Sequence, residues 1–388
     1  MVEKAAGSGL IAVDRYYRDY GGRARELKKQ GKKIIGYLCA LTPVEIIAAA
    51  GFIPFRIKGD VNEPITKADT EMETIVCPLV RSCFDISLKG RYDFLDGIVI
   101  PHACDSICRT YDVWKYTLNL PYSHLVNMPH GTDSPSLDFY RAELDTFRRS
   151  LGRFAEKEIS DQNVAQAVRL YNENRRKVRE LYELRKPSPP LISGAEIGKL
   201  LVSVVSIPVA EATELVTNVI KEARERGKVL ATKSARLMVV GGQVDSVDFI
   251  NLIENSGAWV VADDLCPGAR EFFSDVRETA DPIDGIAERY LSRVYCPRTF
   301  RGREGSYQDY LEQRFGHIGR SIQDSKVDGV VLYIYKYCDP FGFEVPAMKS
   351  YIESKGTPVL HLEDEYSMST IGRLRTRIQA FLELLGSK

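Results

Sequence analysis

The sequence predicts an α/β protein with parallel sheets, built as two units joined by a helical middle. Three observations carry this. Short apolar runs alternate with helix-type segments, the strand–helix–strand grammar of a parallel sheet. That grammar appears before residue 135 and again after residue 231. Between them lies a highly charged stretch with apolar residues at 164, 168, 171, 178 and 181, the spacing of a helix face. The boundaries follow: an N-terminal α/β domain over 1–135, a mainly helical segment over 136–230 and a C-terminal α/β domain over 231–388. A chain of 388 residues, 44% hydrophobic and 27% charged, is long enough for more than one core.

The elements are read in order. Residues 9–31 form a surface helix. KKIIGYL at 32–38 is a buried strand ending at Cys39. Thr42, Pro43 and Glu45 make a helix start, with Thr42 as N-cap and Glu45 completing a capping box, and Gly51 closes that helix. Residues 53–57 are the next strand. Cys77-Pro78 opens a helix towards Lys89. Residues 94–100 are a strand running into Pro101-His102-Ala103-Cys104-Asp105, and a helix follows through Tyr116. Residues 124–128 are a short strand. Residues 136–186 are helical until KPSPP at 186–190, where proline cannot continue a helix. Helices are expected over 193–205 and 209–226. The second unit has strands at 235–241, 258–262, 329–334 and 357–361. Its helices lie at 246–255, 282–291, 307–326, 344–355 and 370–386.

Composition narrows the function. Lys plus Arg and Asp plus Glu both number 53, a balance that argues against binding nucleic acid by neutralising phosphates. No apolar run reaches membrane length, and the first twenty residues, with their charges and tyrosines, do not resemble a signal peptide. A cytoplasmic protein is expected. No P-loop occurs, so ATP hydrolysis by this chain is not expected, and Gly241-Gly242 is too short for a dinucleotide fingerprint.

Eight cysteines in a cytoplasmic chain are not expected to form disulfides. No pair has the CxxC spacing of a zinc ribbon or ferredoxin. Their placement is more informative. Cys39 precedes a proline-opened helix. Cys77, Cys266 and Cys296 are each followed by proline. Cys104 and Cys338 each follow a strand and precede aspartate. Six cysteines therefore sit at strand ends or helix starts, where parallel sheets bind ligands and helix N–H groups favour thiolate. Cys83 and Cys108 fall inside helices. The six suggest a thiolate-ligated metal site shared between two domains, with zinc and iron–sulfur both open.

The stretches GYLCALTPVEIIAAAGFIPFRI, CPLVRSCF, DGIVIPHACDSICRTYDVWKY, VVADDLCPGAR, DPIDGIAERYLSRVYCPR, DGVVLYIYKYCDPFGFEVP and GRLRTRIQAFLELL resemble the 2-hydroxyacyl-CoA dehydratase and benzoyl-CoA reductase catalytic subunits, together with their double-cubane-cluster relatives. The resemblance covers nearly the whole chain. It implies two Rossmann-like domains plus a helical part, with an iron–sulfur cluster held between the domains. Cys77, Cys104 and Cys338 match the three cysteines that recur in the family. Cys39, Cys266 and Cys296 bring the set to six, which favours the double-cubane branch, where each cubane takes three cysteines. The resemblance thus implies an 8Fe-9S reductase subunit acting at low potential on a small molecule. It also implies an ATP-hydrolysing iron–sulfur activator as partner, and a homodimer. The first alternative is a 4Fe-4S 2-hydroxyacyl-CoA dehydratase subunit, paired with a paralogous chain. The second is a non-catalytic cluster carrier.

Reduction also needs protons. His102, two residues before Cys104, is the candidate donor, with His130 and Glu344 behind it. Arg81, Arg109 and Arg270 follow ligand-type cysteines and are candidates to offset cluster charge or bind an anionic substrate. Gly268 is expected to give the backbone close approach to a sulfide.

Overall fold

The computed structural model describes residues 9–227, 230–302 and 305–386. Two four-stranded parallel sheets organise it. The first comprises β1 (Ile34–Tyr37), β2 (Ile53–Arg56), β3 (Gly97–Pro101) and β4 (Tyr122–Val126), in the order β2-β1-β3-β4. The second comprises β5 (Ala235–Gln243), β6 (Ala258–Cys266), β7 (Gly329–Tyr335) and β8 (Val359–Asp364), in the order β6-β5-β7-β8. The order is the same in both units. Each sheet reverses its winding beside its first strand, and such a switch point opens a crevice at the strand carboxyl ends.

The amino-terminal helices are α1 (Gly9–Arg18) and α2 (Gly22–Lys29). The single helix expected over 9–31 breaks because Gly21 takes φ +90, a left-handed conformation that suits glycine. The first unit adds α3 (Val44–Ala49), α4 (Pro78–Leu88) and α5 (Asp105–Thr117). The helical middle holds α6 (Ser134–Ala155), α7 (Asp161–Glu183), α8 (Gly194–Val204) and α9 (Val209–Arg226). Ser160 with Asn163 and Ser193 with Glu196 close capping boxes at the starts of α7 and α8. The second unit adds α10 (Asp248–Asn255), α11 (Ala269–Phe272), α12 (Pro282–Glu288), α13 (Tyr307–Asp324), α14 (Asp339–Ser354) and α15 (Ile371–Gly386).

The units interlock. Ile35 and Val99 on the first sheet share a core with Phe147 of α6, Val164 of α7 and Ile283 and Ile286 of α12. A helix from the second half of the chain is thus embedded beside the first sheet, and the chain leaving it carries Cys296 to that side. Glu45 of α3 is fully buried and pairs with Arg175 of α7, while Tyr290 Oη donates to it at 2.8 Å. Arg56 pairs with Glu271, and Gly59 N donates to Asp245 at 3.1 Å. Among the described residues no helix is long and apolar enough to cross a membrane.

Four local expectations shift. Pro43, not Thr42, occupies the N-cap of α3, without a side-chain cap, and Thr42 Oγ1 is buried without a partner. The expected capping box fails because Arg175 and Tyr290 take the Glu45 carboxylate. β4 begins two residues earlier than expected. β6 continues through Asp263, Asp264 and Leu265 to Cys266, and α14 begins at Asp339 rather than 344.

Candidate functional site

The six strand-end cysteines are brought to one region from both units. Cys39 follows β1. Cys77, Cys104 and Cys338 occupy the N-caps of α4, α5 and α14. Cys266 ends β6, and Cys296 lies in the turn after α12. All eight cysteines are free.

Sulfur charges act across the six, and Cys108 also acts on Cys104. The charges of Cys266 and Cys296 act on Cys39. On the other side, Cys104 acts on Cys77, Cys338 on Cys104 and Cys77 on Cys338. Cys296 also acts on Cys104 and Cys338, so it stands at the junction. Burial is the main reason the thiols are pushed up, to about 12 for Cys77, Cys104 and Cys338, and Cys39 and Cys296 move in the same direction. Without a counter-charge these sulfurs hold their protons. A metal, once bound, would supply that charge, since thiolate is the ligating form.

Backbone N–H groups already point at the sulfurs. Val80 and Leu79 donate to Cys77, Ile107 to Cys104 and Phe341 to Cys338, each from the first turn of the helix that cysteine caps. Leu41 N donates to Cys39 Sγ at 3.5 Å, and Arg298 N donates to Cys296. Such donors to cluster sulfurs tune an iron–sulfur potential.

The three sequence-selected arginines separate. Arg270 is buried and donates from Nη1 to Cys266 Sγ at 3.2 Å. Arg81 is taken by Asp69 and the Thr74 carbonyl, and Arg109 is an exposed surface residue 3.2 Å from Asp112. Two further arginines were not singled out. Arg56 acts on Cys39, and Arg298 acts on Cys296. The CPR triplet at 296–298 held a local signal for Arg298, whereas Arg56 reaches the site through folding alone.

His102 Nδ1 lies 3.4 Å from Asn127 Oδ1, and its ring meets His130 at 5.7 Å. Arg298 Nη2 donates to the His102 carbonyl at 3.1 Å, and His130 Nδ1 lies 2.9 Å from the Arg298 carbonyl. Glu344 pairs with Arg314 at 2.9 Å. Those two line a small cavity with Asp264, Tyr295, Cys296 and His317. His317 was missed: it sits mid-helix in α13, yet its Nε2 lies 3.3 Å from Asp264 Oδ2. Gly268 lies against the Asp263 carboxylate. A Cβ there would sit 2.5 Å from Asp263 Oδ1, so the glycine accommodates a carboxylate.

Cys83 and Cys108 lie within α4 and α5, past the first turn, as expected from sequence. Among the described residues no three His, Cys, Asp or Glu side chains converge on a single-ion site.

Over residues 39–385 the sequence matches the family described as 2-hydroxyglutaryl-CoA dehydratase, D-component. The chain belongs to this family. A putative dehydratase subunit, YjiM, of Escherichia coli K12 is 27% identical, with 93% of each chain covered. The (R)-phenyllactyl-CoA dehydratase beta subunit of Clostridium sporogenes is 25% identical, covering 93% of this chain and 94% of its own length. A benzoyl-CoA reductase subunit of Thauera aromatica is 25% identical, with 93% of each chain covered. The protein is an enzyme subunit of the 2-hydroxyacyl-CoA dehydratase family, and the two parallel-sheet units are its α/β fold. The family match begins at Cys39 and so spans all six strand-end cysteines.

Proposed function

We propose that this dehydratase-family chain is a cytoplasmic iron–sulfur reductase subunit. Cys39, Cys266 and Cys296 hold one cubane, and Cys77, Cys104 and Cys338 hold the other, of a double-cubane 8Fe-9S cluster. The carrying observation is that six strand-end thiols, three of them at helix N-caps, come from both units, and we read them as two trios meeting at Cys296. The donor set fits the group. Six free thiols match one protein ligand per outer iron, and a cluster needs thiols spread around it rather than converging on a point. N–H groups and the Arg270 guanidinium are already directed at sulfur.

When bound, such a cluster supplies low-potential electrons one at a time. The chain supplies the remaining parts. Helix N-termini and Arg270 stabilise thiolate charge. His102, anchored through its carbonyl by Arg298, is the proton-donor candidate. The partners proposed are an ATP-hydrolysing iron–sulfur activator and a second copy of the chain.

The relatives named as beta subunits support a second reading, a 4Fe-4S dehydratase subunit paired with a paralogous chain. Sedimentation of the anaerobically purified protein, with reduction assays with and without activator and ATP, tests the first. A homodimer whose reduction requires both activator and ATP is expected. Steady ATP hydrolysis by the isolated chain would contradict it.

A further inference from the structure

The two trios face different charges. On the Cys39/Cys266/Cys296 side lie three buried guanidinium groups, those of Arg56, Arg270 and Arg298. Arg270 is fixed by the carbonyls of Gly241, Asp264 and Tyr295, each at 2.9 Å, and its charge is shared with Asp264 at 2.9 Å. Arg56 shares its charge with Glu271.

Arg298 is different. It donates to the carbonyls of Pro129 at 2.6 Å, Met128 at 2.9 Å and His102 at 3.1 Å, and its buried Nε has no partner. Among the described residues no carboxylate lies within ion-pair distance of it. Carbonyls satisfy its N–H groups but leave its charge uncompensated, and a buried charge calls for a counter-charge. The charges acting most on it are those of Cys296 and Cys39.

Among the described residues no guanidinium is a leading charge on Cys77, Cys104 or Cys338. Their sulfurs are served by first-turn N–H groups, and the side-chain charge acting on both Cys77 and Cys338 is the Asp339 carboxylate. Positive charge favours the reduced, more negative state of a cluster and raises its potential, and negative charge does the reverse.

We propose that Arg298, seconded by Arg270, makes the Cys39/Cys266/Cys296 side the resting place of a delivered electron, with the Cys77/Cys104/Cys338 side as its lower-potential relay. The inference rests on the double-cubane reading above. With the cluster bound, the reduced iron–sulfur activator would lose one electron and the arginine-rich side would gain it, with no bond formed or broken. Arg298 acts here as a positioning residue through its charge.

The test is a redox titration of the anaerobically purified holoprotein, followed by electron paramagnetic resonance with iron counted in each sample. Two couples are expected in the natural protein. Arg298→Gln should lower the higher couple at least tenfold in its reduction equilibrium, about 59 mV for one electron. Arg298→Lys should recover most of that shift. Asp339→Asn should raise the lower couple and leave the higher one in place. An unchanged higher couple in Arg298→Gln at full iron content overturns the proposal. If Arg298→Gln sheds iron through its lost carbonyl contacts, Asp339→Asn decides, because Asp339 is exposed. Movement of the higher couple, or of neither, in that variant overturns the proposal. A single couple in the natural protein overturns the cluster reading itself, and with it this inference.

Discussion

The Arg270 guanidinium donates to the Cys266 sulfur at 3.2 Å while its other edge lies 2.9 Å from the Asp264 carboxylate. Arginine can hold both partners because its fork presents donors in fixed directions. One buried side chain therefore ties the end of β6 to a candidate ligand and to His317, which reaches Asp264 from α13 at 3.3 Å.

Asp264 sets an acid limit. Burial alone would raise its carboxyl, but Arg270 first and then His317 hold it down, to about 2. Its folded-state value lies below the ordinary 3.8, so its contribution is present above 3.8 and disappears as pH falls towards 2. That contribution is roughly 2 kcal/mol. Denaturant unfolding across a pH series should show a steeper loss between 3.8 and 2 in the natural protein than in Asp264→Asn.

Glu45 clamps α3 to the helical middle. Removing one partner of a buried ion pair costs about 3–5 kcal/mol, because it strands the other charge. Glu45→Gln should therefore lower the chemical denaturation midpoint strongly, leaving Arg175 without its carboxylate. Glu45→Gln with Arg175→Met should recover part of that loss. A single variant as stable as the natural protein would remove the clamp from the account.

Cys83 and Cys108 should not hold metal. Cys83→Ser and Cys108→Ser should keep their full iron content. Cys83 is fully enclosed, and a serine hydroxyl left unsatisfied there costs about 1–3 kcal/mol. Thermal unfolding should show that cost while elemental analysis shows no change. Loss of half the iron in either variant would show that the six-cysteine choice is wrong.

Cys39 separates the two readings of the site. Cys39→Ser should disturb the paramagnetic signal and iron of its own trio, and leave the part held by Cys77, Cys104 and Cys338 more nearly intact. An unchanged spectrum with unchanged iron would rule Cys39 out and favour the 4Fe-4S dehydratase reading.

Much of this was legible in sequence, for identifiable reasons. Strands such as 34–37 and 329–335 are short apolar runs bounded by turns, so their positions survive folding nearly unchanged. Cys77 and Cys104 announce themselves through the helices they cap. Local patterns misled where long-range contacts intervened. Thr42 and Glu45 have capping-box spacing, but Arg175, 130 residues away, takes the carboxylate. α14 starts at Asp339, ahead of the expected 344, because Pro340 sits in its first turn, where proline is tolerated. Asp264 and His317 are 53 residues apart, so no spacing rule joins them. Arg56 reaches the cysteines only through folding, which brings the end of β2 to Glu271 of α11 and Gln243 at the end of β5.

The central claim is that six thiols from two units hold one double cluster. Iron and acid-labile sulfide per chain in anaerobically purified protein test it most directly. About eight irons with matching sulfide are expected, three cysteines serving each cubane. Stoichiometric zinc without acid-labile sulfide would contradict the iron–sulfur account, and about four irons per chain would contradict the double cubane.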